Sequence, residues 1–290
     1  MTDENVVTTP AGTEDDPYLA TTWDELVIHA SNTDAYVKVA NDIDVLAEYP
    51  NGDAPTLVLN GYVDGNNKTI SRWYCTGSRY LITTNTTCHY IKNCTFTNIK
   101  TGYNLVSIGV PYGQDSYIVI NNCKFAGIMG DGYIFSPNEN RDTRNGTIQN
   151  VAIDIKGNNL KLLYIGTGTD YPHFYNFNVK LTSNASELLF SYYSTRHVFF
   201  NDSQLELHMP NITSIGNANA YCSFDNSILD LYNETNNVSF SSENANVSIF
   251  NKTHAPETTE IANKMVGILD ANWHNVSALA DAGFNIVVGE

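Results

Sequence analysis

The chain has 290 residues, 42% of them hydrophobic and only 16% charged, enough apolar material to bury one large domain and too little charge for a disordered chain. Fifteen Lys and Arg stand against 31 Asp and Glu, a formal charge of -16, so nucleic acid and anionic membrane surfaces would meet like-charge repulsion and are excluded as partners. Five cysteines, an odd number with no Cys-x-x-Cys, argue against a disulfide framework or a zinc ribbon and read as buried free thiols.

Residues 1 to 17 carry five acidic and no basic side chains and read as an attachment arm, with no basic-then-apolar leader. No run of the chain is long and apolar enough for a membrane span. Within 18 to 34, TTWDELVIHASN predicts a short capping helix: Thr22 is the N-cap, Glu25 follows three later, and Trp23, Leu26 and Val27 form one apolar face. YVKVANDIDV and TLVLNGYVDGNNKTISRW then open a strand region that runs from 35 to 250.

That region repeats. Short alternating runs meet at a turn residue that recurs at Asn93, Asn122, Asn150, Asn176, Asp202, Asn226 and Asn246, with spacings of 29, 28, 26, 26, 24 and 20 residues. Two places before the turn stand Ile91, Ile120, Ile148, Phe174, Phe200 and Phe224, and three places after it Phe96, Phe125, Ile153, Val179, Leu205 and Leu229. Polar residues alternate with both sets, as strands with one buried face require. A third strand is legible in each period, at 104–110, 132–136, 160–166, 187–194, 212–216 and 238–242. Three short strands per coil, stacked over about eight coils, predict an all-β parallel β-helix, because stacking buries a core that one coil cannot. Cys94 and Cys123 stand one place after the turn, in a column with Val151, Phe177 and Ser203, which makes them filling rather than nucleophiles. From 251 to 290 the strand grammar stops, and Ile261, Met265, Ile268 and Leu269 fall at helical spacing, predicting a helical C-terminal cap or docking segment.

The Ile-x-Asn-[Cys/Val]-x-[Phe/Ile] grammar of 91–96 and its copies resembles the single-stranded right-handed parallel β-helix of the pectate-lyase-like superfamily, as do the opening phrase GNNKTI and, in phage proteins of this fold, the closing LxxAGFNI. The resemblance implies right-handed coils and a ladder in which each turn asparagine hydrogen-bonds its copy one coil away. It also implies polysaccharide chemistry, through calcium-binding Asp with an Arg base or through Asp pairs. The chain has only five Arg and lacks the Asn-Thr-Asp, Gly-His-Gly and Arg-Ile-Lys phrases of that catalysis.

Three places are left for function. Glu206 and Asp230 share one outward column in adjacent coils, about 5 Å apart at strand spacing, and are the best pair for a retaining glycosidase; a solvated charged face is the plainer reading. The insertion 136–146 gathers Glu139, Arg141, Asp142 and Arg144 into one binding loop. Tyr90, Val119, His173 and Phe199 lie in an outward column that is unusually apolar, fit for a neighbouring copy or for a stacked sugar. No metal or cofactor is called for. Twelve Asn-x-Ser/Thr sequons read either as glycan acceptors or as turns rich in Asn, Ser and Thr.

The sequence points to a structural virion protein, a phage or archaeal-virus fibre, spike or capsid decoration made in a host cytoplasm without a signal peptide. It would join other virion proteins through the arm or the C-terminal segment, form a homo-oligomer with a trimer favoured, and hold host glycans on its face. The alternatives are a polysaccharide lyase or glycosidase acting as a depolymerase, and a glycosylated cell-surface adhesin.

Overall fold

The computed structural model describes residues 11–75, 77, 80–84, 88–107, 109–110, 117–136, 142–143, 147–165, 173–191, 196–216, 220–232, 242–251, 267–269, 272–274 and 285–286. Among the described residues the first strand is Tyr18–Ala20, which pairs in parallel with Tyr36–Val39, so the sheet begins before the expected boundary at 35. Between them lies helix α1, Trp23–Ala30. Thr22 caps it, its hydroxyl accepting from the Glu25 amide at 3.1 Å, and Glu48 takes the Trp23 and Asp24 amides at 2.8 and 3.2 Å. Trp23, Leu26 and Ala30 are buried, with Val27 packed beside them, closing the end of the core.

The rest is a parallel ladder. Among the described residues a 17-stranded sheet carries the strands on either side of each turn residue, and a separate 7-stranded sheet carries the strands from Leu57–Leu59 to Ser214–Gly216. Register follows the columns read from the sequence. Ile91, Ile120, Ile148, Phe174 and Phe200 are successive partners, all fully buried. Phe96, Phe125, Ile153, Val179 and Leu205 form the second buried column. Leu57, Ile82, Val106, Phe135, Leu163 and Leu189 form the third. Rings stack inside as they recur: Phe96 on Phe125 at 5.1 Å between centroids, Phe174 on Phe200 at 4.9 Å.

The corners explain the asparagines. Asn93, Asn122, Asn150, Asn176 and Asp202 all have left-handed backbone, with φ of 53°, 52°, 53°, 45° and 50°. Asn and Asp visit that region because a short polar side chain can hydrogen-bond locally. These five corners mark successive turns of an all-β parallel solenoid with few helices among the described residues. Asn122 donates to Asn93 Oδ1 at 2.8 Å and Asn176 to Asn150 Oδ1 at 2.8 Å, but Asn150 donates to Asn121 Oδ1 at 3.0 Å. The copy-to-copy ladder therefore takes one sidestep.

Near the C-terminus the helical spacing read at Ile268 and Leu269 is replaced by strand. Ile268 and Leu269 lie in a strand, Gly267–Leu269, paired antiparallel with Asn272–His274, and Asn285–Ile286 adds in parallel to Ser248–Ile249. Ile268 is the register partner of Trp273 across the hairpin, so the backbone there is strand and not helix. Ile261 and Met265 lie outside the described residues.

Candidate functional site

Strand alternation sends Val37, Val63 and Ile91 into the core and turns Tyr36, Lys38, Tyr62, Asp64, Tyr90 and Lys92 outward. Register places Tyr36 beside Tyr62 and Tyr62 beside Tyr90, with Lys38, Asp64 and Lys92 aligned in the next outward column. Gly61 allows the first two strands to meet: a Cβ there would lie 2.3 Å from the Ala35 carbonyl oxygen, which instead accepts from the Tyr62 amide at 2.8 Å. The Tyr36 and Tyr62 rings stack at 4.4 Å and 18°, so each covers one face of the other.

The segment before the first strand makes the wall. The Asp16 carboxylate and carbonyl take the Ala11 and Gly12 amides, each at 2.9 Å, and the Gly12 carbonyl accepts from the Tyr36 amide at 2.9 Å. Glu14, Asp15 and Pro17 thereby face the tyrosines. Together these residues enclose a groove of about 630 Å³.

Its charges are mostly internally matched. Lys92 Nζ lies 3.5 Å from Asp64 Oδ2 and 5.6 Å from the Tyr90 ring centroid. Asp64 Oδ1 accepts from the Asn66 amide at 2.8 Å and from Asn93 Nδ2 at 3.1 Å. Lys38 has no ion-pair partner among the described residues. Two lysines thus stand against Glu14, Asp15 and Asp64.

Val119, Thr147, His173 and Phe199 continue the column beyond Tyr90, so the four residues expected there, Tyr90, Val119, His173 and Phe199, share one line with Tyr36 and Tyr62. His173 stacks on Phe199 at 4.7 Å and 7°, and burial pushes the His173 imidazole below its usual pKa. Tyr36 and Tyr62 escaped the sequence reading although the signal was present: Tyr-Val-Lys at 36–38 and Tyr-Val-Asp at 62–64 repeat Tyr-Ile-Lys at 90–92.

Glu206 and Asp230 are register partners in adjacent strands. Glu206 Oε1 lies 2.7 Å from His208 Nε2 and accepts from Lys180 Nζ at 2.9 Å. Those two bonds, His208 first, hold the Glu206 carboxyl below its usual range, the opposite of what a general acid needs. Of the insertion residues, Asp142 lies in a two-residue strand, Asp142–Thr143, antiparallel to Gly109–Val110. Glu139, Arg141 and Arg144 lie outside the described residues.

Cys94 and Cys123 are buried, and burial pushes the Cys123 thiol up to about 12 and the Cys94 thiol well above its usual range. The Asn93 sequon has its amide nitrogen engaged on Asp64. Among the described residues no cluster of three or more His, Cys, Asp or Glu could hold a metal ion, and no helix is long and apolar enough to cross a membrane.

No family model and no curated protein matches the chain. Among solved structures it is similar to the crystal structure of a "putative immunoglobulin A1 protease" from Bacteroides ovatus, with a TM-score of 0.50 and 13% identity over 91% of this chain and 80% of that one. At that identity the likeness is one of fold alone, and it agrees with the ladder described above: the chain is a parallel β-solenoid.

Proposed function

We propose that this protein is a non-enzymatic solenoid that holds a glycan in the groove of Tyr36, Tyr62 and Tyr90. The observation that carries the reading is the alignment of three tyrosines in one outward column beside Lys38, Asp64 and Lys92 in the next. A sugar ring presents apolar C–H faces and hydroxyl edges. Tyrosine offers an apolar body and a polar tip, and the neighbouring ammonium and carboxylate groups supply directed hydrogen bonds. The groups sit on a rigid parallel sheet, so little ordering cost falls on binding.

The wider setting we assign is a virus particle, with the solenoid as a fibre, spike or decoration and its copies assembled as a trimer. It is supported by the sequence resemblance and by the repeat's suitability as a stiff spacer. The same resemblance supports right-handed coils, and the sequence period supports three strands per coil and about eight coils. A depolymerase is the second reading, favoured by the adjacency of Glu206 and Asp230 in register.

Incubation with a panel of immobilised polysaccharides separates these. The proposal expects retention on at least one polysaccharide with no new reducing ends. Reducing ends that appear with the wild type and vanish with Glu206→Gln would replace it by the depolymerase, and absence of retention on every glycan would overturn it. Recovery of the protein from purified virions tests the setting.

A further inference from the structure

The groove's charges say which glycans it takes. Lys92 is neutralised by Asp64, whose second oxygen is already occupied by Asn93 and the Asn66 amide. What remains to meet a ligand is Lys38 against Glu14 and Asp15. An incoming carboxylate, sulfate or phosphate ester would find one ammonium and two carboxylates, on a chain that already carries -16. The Tyr90 hydroxyl accepts from Asn121 Nδ2 at 3.5 Å and keeps its own proton to donate, Lys38 donates, and Glu14 and Asp15 accept, a set matched to hydroxyl and acetamido groups.

Resting on the glycan reading above, we infer that the ligand is an uncharged, hydroxyl-rich oligosaccharide, lying along the solenoid axis across the strands of Tyr36, Tyr62 and Tyr90. The direction follows from the lining: the same two outward positions of three successive strands contribute, a run of about 10 Å at strand spacing. Uronate-bearing and sialylated chains are excluded by charge rather than by shape. Because the contacts are aromatic packing and short hydrogen bonds, affinity changes little from low to high salt.

The test is calorimetric titration of the full chain with cello-oligosaccharides, N-acetylated chito-oligosaccharides and oligogalacturonates of equal length. At least one neutral series is expected to bind about tenfold or more tighter than oligogalacturonate, with no fall in affinity as salt is raised. Replacing Glu14 by Gln together with Asp15 by Asn, two exposed side chains outside the core, is expected to narrow that gap. Tighter binding of oligogalacturonate, weakened by salt and by Tyr62→Phe or Tyr62→Ala, would overturn the charge inference while leaving the groove in place. Binding of neither class, or binding unmoved by both Tyr62 variants, would overturn the groove itself.

Discussion

Asn93 Nδ2 donates to Asp64 Oδ1 at 3.1 Å, and through that bond the corner ladder reaches the groove. Asn122 donates to Asn93 in the same way, so a line of amides closes on a carboxylate that also holds Lys92. Asp64→Ala would leave the Asn93 donor and the Asn66 amide without an acceptor, at a cost of about 1–3 kcal/mol. Asp64→Asn keeps an acceptor and loses only the half-exposed ion pair, about 0–1 kcal/mol. Urea denaturation of the two variants distinguishes them, and equal loss in both would show that the Lys92 pair, not the ladder, is what matters.

The corner conformation and the ladder bond at Asn150 are separable. Asn150→Ala removes the bonds to Asn121 and from Asn176 and places a Cβ-bearing residue without a local hydrogen bond at φ 53°, for about 2 kcal/mol. Asn150→Gly loses the same bonds without the left-handed penalty and is expected to be the milder change. Denaturation midpoints that rank the glycine variant below the alanine variant would remove backbone strain from the account.

Burial fixes the chemistry of the thiols. With Cys94 and Cys123 both pushed up, neither is expected to react with iodoacetamide in the folded protein at pH 8, and both are expected to react in denaturant. Peptide mass spectrometry after brief alkylation reads this directly. Rapid native labelling of Cys94 would mean that the column opens.

Glu206 has a depressed folded-state pKa, so its contribution to stability is present above its unfolded value near 4.5 and fades as pH falls through the lower folded value. Glu206→Gln is therefore expected to reduce wild-type stability slightly at pH 7, by about 0–1 kcal/mol, and to converge with it in acid. A stability difference that widens below pH 4.5 would reverse the assignment.

The buried columns were legible because one sequence period puts Ile91, Phe96 and their copies in the core, and no other register hides them. Thr22, Trp23 and Leu26 marked α1 for similarly local reasons. The groove was less legible. Its wall depends on the Gly12 carbonyl meeting the Tyr36 amide across 24 residues, while five acidic groups in 17 residues suggest a free arm. At Ile268 and Leu269 the helical spacing gave way to strand because 267–269 pairs with 272–274, a partner that spacing within the segment does not announce.

The most direct test of the central claim is the dissociation constant of the best-retained oligosaccharide for wild type, Tyr62→Ala and Phe199→Ala, measured on proteins with unchanged circular dichroism. Tyr62 stands in the middle of the groove and Phe199 in the same column but outside it. The account predicts about tenfold or greater weakening for Tyr62→Ala, of the size expected for a buried aromatic contact, and little change for Phe199→Ala. Equal affinities for wild type and Tyr62→Ala would contradict it.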